Sequence, residues 1–220
     1  MKLGRRPTHV LFDLDGVLLD SEPLYTQATQ EILDPYGKTF DWSLKVNTIG
    51  RDARDGARWL LAELGVPLSV DEYLQRRERR LRELFRTVQP VAGAREFVAT
   101  LAQRGVPMAV ATSSHRDQYD VKVSGHPWFG AFAAVVCGDD PELARLKPAP
   151  DIFLLAAARL QADPRSCLVV EDSPAGVAAA RAAGMQVVAV PDPHVAKERV
   201  AEADLVLAGI FEIEPELLGL

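Results

Sequence analysis

The chain has 220 residues, a formal net charge of -6 and 48% hydrophobic residues. That apolar content suits one or two packed domains and excludes a disordered chain. The acidic balance argues against a nucleic-acid-binding surface, and no apolar stretch approaches the ~20 residues a membrane span needs.

The first segment, Met1 to Pro7, is basic, and the apolar run after it is shorter than the ~7–15-residue core of a signal peptide, so a cytoplasmic protein is expected. Val10–Phe12 reads as a buried strand that stops at Asp13-Leu14-Asp15, with Gly16 as a tight exit turn. Two carboxylates one residue apart beside a buried strand repel each other unless a cation or proton lies between them. Asp and Gly are also ordinary turn residues, so this pair alone does not decide between a turn and a site.

From Ser21 to about Val88 no strand pattern occurs. The pattern is helical and charged, as in Gln75 to Glu83, and is read as a solvated helix face with opposite-sign neighbours rather than a basic patch. The organisation expected is therefore a core, residues 1–20 and 89–220, interrupted by a helical insert, residues 21–88. Trp42, Trp59 and Trp128 are read as packing residues.

Beyond the insert, strand-like runs recur at Met108–Ala111, Ala134–Cys137, Leu168–Val170, Val187–Val190 and Leu205–Leu207. Helical stretches at Asp151–Leu160 and Ala175–Ala183 lie between them, the second with Ser173 as N-cap and Gly184 past its end. Alternating helices and near-continuous apolar strands predict a parallel sheet covered on both faces, an α/β fold. Cys137 and Cys167 border Val-rich strands and are expected to be reduced and buried. Asp140-Pro141 is read as the start of a helical turn rather than a pair of metal ligands with Asp139.

Two of these strands run into polar groups, and a lysine lies between them in sequence. Met108–Ala111 ends in Thr112-Ser113-Ser114, whose hydroxyls and backbone N–H groups suit a phosphate. Lys147 precedes a proline-stiffened turn and offers a point charge for a phosphoryl group. Leu168–Val170 ends in Glu171-Asp172-Ser173, a second strand terminating in paired acids. Asp13, Asp172 and the main-chain carbonyl of Asp15 form an oxygen donor set suited to Mg2+. Asp13 could then attack phosphorus to give an aspartyl-phosphate, with Asp15 as acid and base. His115 and Arg116 follow the Thr112 loop; with Glu22, Arg51 and Ser114 they are candidates for contact with the rest of a substrate.

Asp13-Leu14-Asp15-Gly16-Val17, Thr112, Lys147 and Glu171-Asp172 resemble, in order, the four motifs of the haloacid dehalogenase superfamily. That resemblance implies a Rossmann-like core with a small helical cap inserted after the first strand. It implies Asp13 as nucleophile, Asp15 as acid/base, Asp172 as a direct Mg2+ ligand, and Glu171 acting on Mg2+ through water. It also implies a phosphate held by the main chain at Leu14 and by Thr112, Ser113 and Lys147. Ala111 to Ser114, Gly138 to Glu142, Cys167 to Pro174 and the tail Pro215 to Leu220 are similar to one group of this superfamily. It contains pseudouridine-5′-phosphatases, glycerol- and sugar-phosphate phosphatases and β-phosphoglucomutases. An Arg is usual there where His115 stands. The expectation is a monomeric, Mg2+-dependent phosphomonoesterase acting on a small phosphorylated metabolite. The alternatives are a phosphosugar mutase and a non-catalytic module on the same fold.

Overall fold

The computed structural model describes residues 3–48 and 52–215. The chain divides into two compact units. One is Ser21–Val88; the other lies on either side of it, up to Asp20 and from Gln89.

In the larger unit, β1 (His9–Phe12) is followed by β2 (Leu19–Asp20), which pairs antiparallel with β3 (Gln89–Pro90). This two-stranded ribbon carries the chain out to the insert and back. Only two residues long on each side, it leaves no periodic signal to read. Between β2 and β3 run four helices: α1 (Glu22–Leu33), α2 (Trp42–Lys45), α3 (Ala53–Leu64) and α4 (Val70–Leu84). The chain then continues through α5 (Ala94–Gln103), β4 (Met108–Ala111), α6 (Arg116–Val123), β5 (Ala134–Val136), α7 (Asp151–Arg159), β6 (Cys167–Glu171), α8 (Pro174–Ala182), β7 (Gln186–Ala189) and β8 (Leu205–Val206).

The six longer-range strands form one parallel sheet in the order β5-β4-β1-β6-β7-β8. Their residues are apolar on both sides, as a doubly covered sheet requires. Leu11, Ala109, Val169 and Val187 point to the face packed by α7 and α8. Phe12 points the other way and meets the rings of Phe97 on α5 and Phe132 at 6.0 and 5.8 Å, both edge-to-face. The fold is thus Rossmann-like. Strand β1 is central, and the chain moves to opposite sides of it on reaching β4 and β6. The carboxyl end of β1 is therefore the topological switch point, where α/β sheets collect ligands.

Helix α8 begins as its sequence predicts: the Ser173 hydroxyl accepts from the Gly176 N–H, Pro174 occupies the first turn, and Gly184 follows with φ of 73°. Cys137 and Cys167 are free and buried, and burial raises both thiols to about 11. No helix follows Asp140-Pro141, but a single turn does: the Leu143 N–H donates to the Asp140 carbonyl at 2.9 Å and the Glu142 N–H to its carboxylate at 3.2 Å. The Asp140 carboxylate also pairs with Arg159 at 2.7 Å and so ties the end of β5 to α7.

The Ser21–Val88 unit has its own core, including Ile32, Leu33, Leu60, Leu61 and Tyr73. The starts of α3 and α4 are capped by side chains: Asp52 accepts from the Arg54 and Asp55 N–H groups, and Ser69 from that of Glu72. The charged stretch of α4 is a solvated face, with Arg80 paired to Glu31 and Glu83, and Arg76 to Glu72. Trp59 packs against this unit's core, whereas Trp42 is more exposed and carries Lys45 at 5.4 Å over its ring. Among the described residues no helix is long and apolar enough to cross a membrane.

Candidate active site

Strand register decides which loops meet. Phe12 is paired with Val110 on one side and Val170 on the other, so the next residue of each strand lies in one row: Asp13, Ala111 and Glu171. The Asp13 N–H donates to the Val170 carbonyl at 3.0 Å, which continues the β1–β6 ladder into the loop. Residues separated by more than 150 positions thereby become neighbours.

Lys147 enters this row from the loop before α7. Its peptide bond to Pro148 is cis. The ammonium donates to Asp13 Oδ1 at 2.5 Å, Glu171 Oε1 at 2.7 Å and the Ala111 carbonyl at 3.1 Å, and it lies 4.9 Å from the ring of Phe153. The Lys147 side chain is 5% exposed and that of Glu171 0%. Burial disfavours the ammonium, but Asp13 and Glu171 more than offset it and hold Lys147 protonated well above the usual lysine range.

Glu171 is fixed at both oxygens. Oε2 accepts from the N–H groups of Asp172 and Ser173 and from the Ser173 hydroxyl. Gly176 faces this carboxylate so closely that a Cβ built there would overlap it. Gly16 has the same relation to Asp172 and also adopts a left-handed φ of 81°. Asp172 is half-buried against the Asp13–Gly16 turn. Burial, then the opposing effect of Lys147, then repulsion from Glu171 and Asp15 set Asp13, whose carboxyl is pushed up to about 7. Burial and repulsion from Glu171 and Asp13 raise Asp172 well above the ordinary carboxylate range.

This imbalance is the test of fit for a cation. Asp13, Glu171 and Asp172 bring three carboxylates to the strand ends, with Lys147 as the ammonium between two of them. Ionised, the group carries two excess negative charges, which a divalent hard ion would neutralise. Among the described residues, no three His, Cys, Asp or Glu side chains form a ready-made metal cage. Magnesium does not need one: it commonly takes one or two carboxylates and keeps waters or substrate oxygens for its other positions. With both its oxygens committed, Glu171 suits contact through water.

The remaining candidates divide into two groups. Thr112 is buried at the end of β4, and its Oγ1 accepts from the Ser114 N–H at 3.0 Å; Ser113 is exposed beside it. Leu14 is buried, and its carbonyl closes the turn by accepting from the Leu18 and Leu19 N–H groups. The Ser114 side chain does not stand open for a substrate: its hydroxyl donates to Asp15 Oδ2 at 2.8 Å. His115 is exposed at the N-cap of α6. The Arg116 N–H donates to Asp139, and its guanidinium lies 5.3 Å from the Tyr119 ring and 3.8 Å from Asp120, on its own helix. Glu22 belongs to the helical unit and is paired there with Lys45 at 2.8 Å. Arg51 and the tail from Glu216 to Leu220 lie outside the described residues.

One residue beside Asp15 has no motif to announce it. Lys122 on α6 is fully buried and donates to both oxygens of Asp15, at 2.6 and 2.8 Å, and to the Ser114 hydroxyl at 3.0 Å. A weak signal exists in the helix period: Lys122 follows the apolar Tyr119 by three positions, so the two share the buried face of α6.

Fold and site together define a Rossmann-like α/β enzyme with acidic strand ends around a buried lysine. The chain belongs to the haloacid dehalogenase-like hydrolase family, whose model matches residues 7–184. It is 44% identical over 219 residues to the Arabidopsis thaliana "(DL)-glycerol-3-phosphatase 1, mitochondrial", covering 97% of this chain and 74% of that protein. It is 43% identical over 223 residues to the Drosophila melanogaster "Probable pseudouridine-5'-phosphatase", covering 100% of this chain and 96% of that one. The crystal structure of CbbY from Rhodobacter sphaeroides in complex with phosphate superposes with a TM-score of 0.79 at 25% identity, covering 97% of this chain and 100% of that one.

Proposed function

We propose that the protein is a Mg2+-dependent phosphomonoesterase for a small phosphorylated metabolite, with pseudouridine 5′-phosphate and glycerol phosphates as the first candidates. The observation that carries this is the Asp13–Lys147–Glu171 row at the switch point, where an ammonium and a charge deficit suited to a divalent cation adjoin a carboxylate. The phosphatase names of relatives at 44% and 43% identity support the substrate class.

In this reading Asp13, Asp172 and the Asp15 carbonyl hold Mg2+, with Glu171 acting through water. Bound there, the ion would neutralise phosphate charge. Lys147, Thr112, Ser113 and the main chain at Leu14 orient the phosphoryl group. An oxygen of Asp13 attacks phosphorus as the bond to the ester oxygen breaks, and protonated Asp15 gives its proton to the departing alcohol. The product is an aspartyl-phosphate on Asp13 and a carboxylate on Asp15. That carboxylate then takes a proton from water as the water oxygen attacks phosphorus. The bond to Asp13 breaks, releasing orthophosphate and restoring both side chains. Lys147 balances charge throughout. The Ser21–Val88 unit, inserted directly after the Asp15 turn and β2, is assigned selection of the leaving group.

The test is phosphate release from pseudouridine 5′-phosphate, glycerol phosphates, hexose phosphates and nucleoside monophosphates, with Mg2+ or with chelator. Mg2+-dependent release, abolished in D13N, is expected. Release that D13N leaves intact would remove Asp13 as nucleophile. Conversion of β-glucose 1-phosphate to glucose 6-phosphate without net phosphate release would replace hydrolysis by mutase chemistry.

A further inference from the structure

We infer that Lys122, with Ser114, is a positioning residue for Asp15. The inference rests on the phosphomonoesterase reading above and deepens it. A buried ammonium is costly to keep, and an apolar side chain of similar volume at such a position is often at least as good for stability. The α6 face that carries Lys122 also carries Tyr119, so an apolar residue would suit the packing. What Lys122 adds is directional. Its Nζ is bound to both Asp15 oxygens, and the Ser114 hydroxyl bridges Nζ and Asp15 Oδ2. Three contacts on one carboxylate select one rotamer, and a proton-transfer group must hold its geometry to within a fraction of an ångström.

Ser114 is held in turn. Its N–H donates to Thr112 Oγ1, and its carbonyl accepts from the Gly138 N–H at 2.9 Å. The Asp15 side chain keeps 27% exposure while Lys122 keeps 0%, so the lysine stands behind the carboxylate, away from solvent. Lys122 would not touch the substrate; it acts through Asp15.

A leaving-group comparison tests this. Glycerol 3-phosphate expels an alkoxide that must be protonated, whereas p-nitrophenyl phosphate expels a stable phenolate. With Mg2+ present, K122M is expected to lose roughly 100-fold in kcat/KM on glycerol 3-phosphate, the scale of general acid–base catalysis, and less than about 10-fold in kcat/KM on p-nitrophenyl phosphate. The comparison uses kcat/KM because hydrolysis of the aspartyl-phosphate, which also uses Asp15, is common to both substrates. S114A should shift the same ratio in the same direction by a smaller factor, and it carries the test if K122M does not fold. Equal losses on both substrates, or no loss, would overturn the assignment. If the wild type releases phosphate from another alkyl ester of the panel above but not from glycerol 3-phosphate, that ester takes its place in the comparison. A wild type inactive on p-nitrophenyl phosphate and on the whole panel would instead overturn the phosphomonoesterase reading and this inference with it.

Discussion

Lys147 Nζ lies 2.5 Å from Asp13 Oδ1 and, from the same buried position, 2.7 Å from Glu171 Oε1. An ammonium shared by two carboxylates cannot be removed without leaving like charges facing each other in a nearly dry site. K147M is therefore expected to cost about 3–5 kcal/mol, the usual penalty for deleting one member of a buried ion pair. Chemical denaturation in chelator measures it. A loss below about 1 kcal/mol would show that the two carboxylates are protonated or solvated once the lysine is gone.

Asp13 makes a second prediction. D13N should lower turnover by roughly 10⁴-fold or more, as loss of a covalent nucleophile does in other enzymes. It should not lower stability at high pH. The Asp13 carboxyl is raised from its ordinary 3.8 to about 7, so the native protein favours its neutral form, which Asn imitates. In chelator at pH 8, D13N is expected to melt at or above the wild-type temperature. The difference should shrink as pH falls and vanish only below the unfolded value of 3.8, where both states of the wild type are protonated at Asp13.

The same shift gives the metal-free protein a pH slope. Between the unfolded value of 3.8 and the folded value of about 7, the folded chain binds more protons at Asp13 than the unfolded chain does. Stability therefore falls as pH rises across that window and levels off above it. The upward shift of Asp172 works in the same sense. Mg2+ competes with those protons, so it should raise the melting temperature more at pH 8 than at pH 5. A ligand at 100 times its Kd is worth about 2.7 kcal/mol. Thermal melts with and without Mg2+ at the two pH values check both statements. A larger Mg2+ effect at pH 5 would contradict the carboxylate site.

Gly176 offers a steric prediction. Its missing side chain leaves room for the Glu171 carboxylate, which is held by three donors on the same turn and by Lys147. G176A should cost about 1–3 kcal/mol through overpacking. Activity should fall with it, because Glu171 must move and Lys147 with it. The control is G184A. At Gly184 a Cβ would meet nothing within 4 Å, and only the φ of 73° opposes it. G184A should therefore destabilise without lowering the turnover of the folded fraction.

Much of this protein is legible in its amino-acid order. Apolar runs ending in Asp13, Thr112 and Glu171 mark three sheet strands and the polar groups at their carboxyl ends, because a buried parallel strand is apolar throughout and its loop is not. The Ser21–Val88 insert shows itself by losing that pattern, and Ser173, Pro174 and Gly184 mark the limits of α8. Other features have no local signature. The β2–β3 ribbon is too short to show a period. Asp140, which the dipeptide Asp-Pro marks as the start of a turn, also pairs with Arg159 nineteen positions away, which the dipeptide does not show.

What sequence alone determined, then, was which strands exist and which residues stand at their ends. Local periodicity and turn chemistry are encoded within a few positions. Only the tertiary structure decided the partnerships: that β1 lies between β4 and β6, that Lys147 serves Asp13 and Glu171 together, and that Lys122 and Ser114 lie behind Asp15. Those depend on strand order and register, which bring residues over a hundred positions apart within hydrogen-bonding distance. A lysine seen in sequence carries no mark of which carboxylate will compensate its burial.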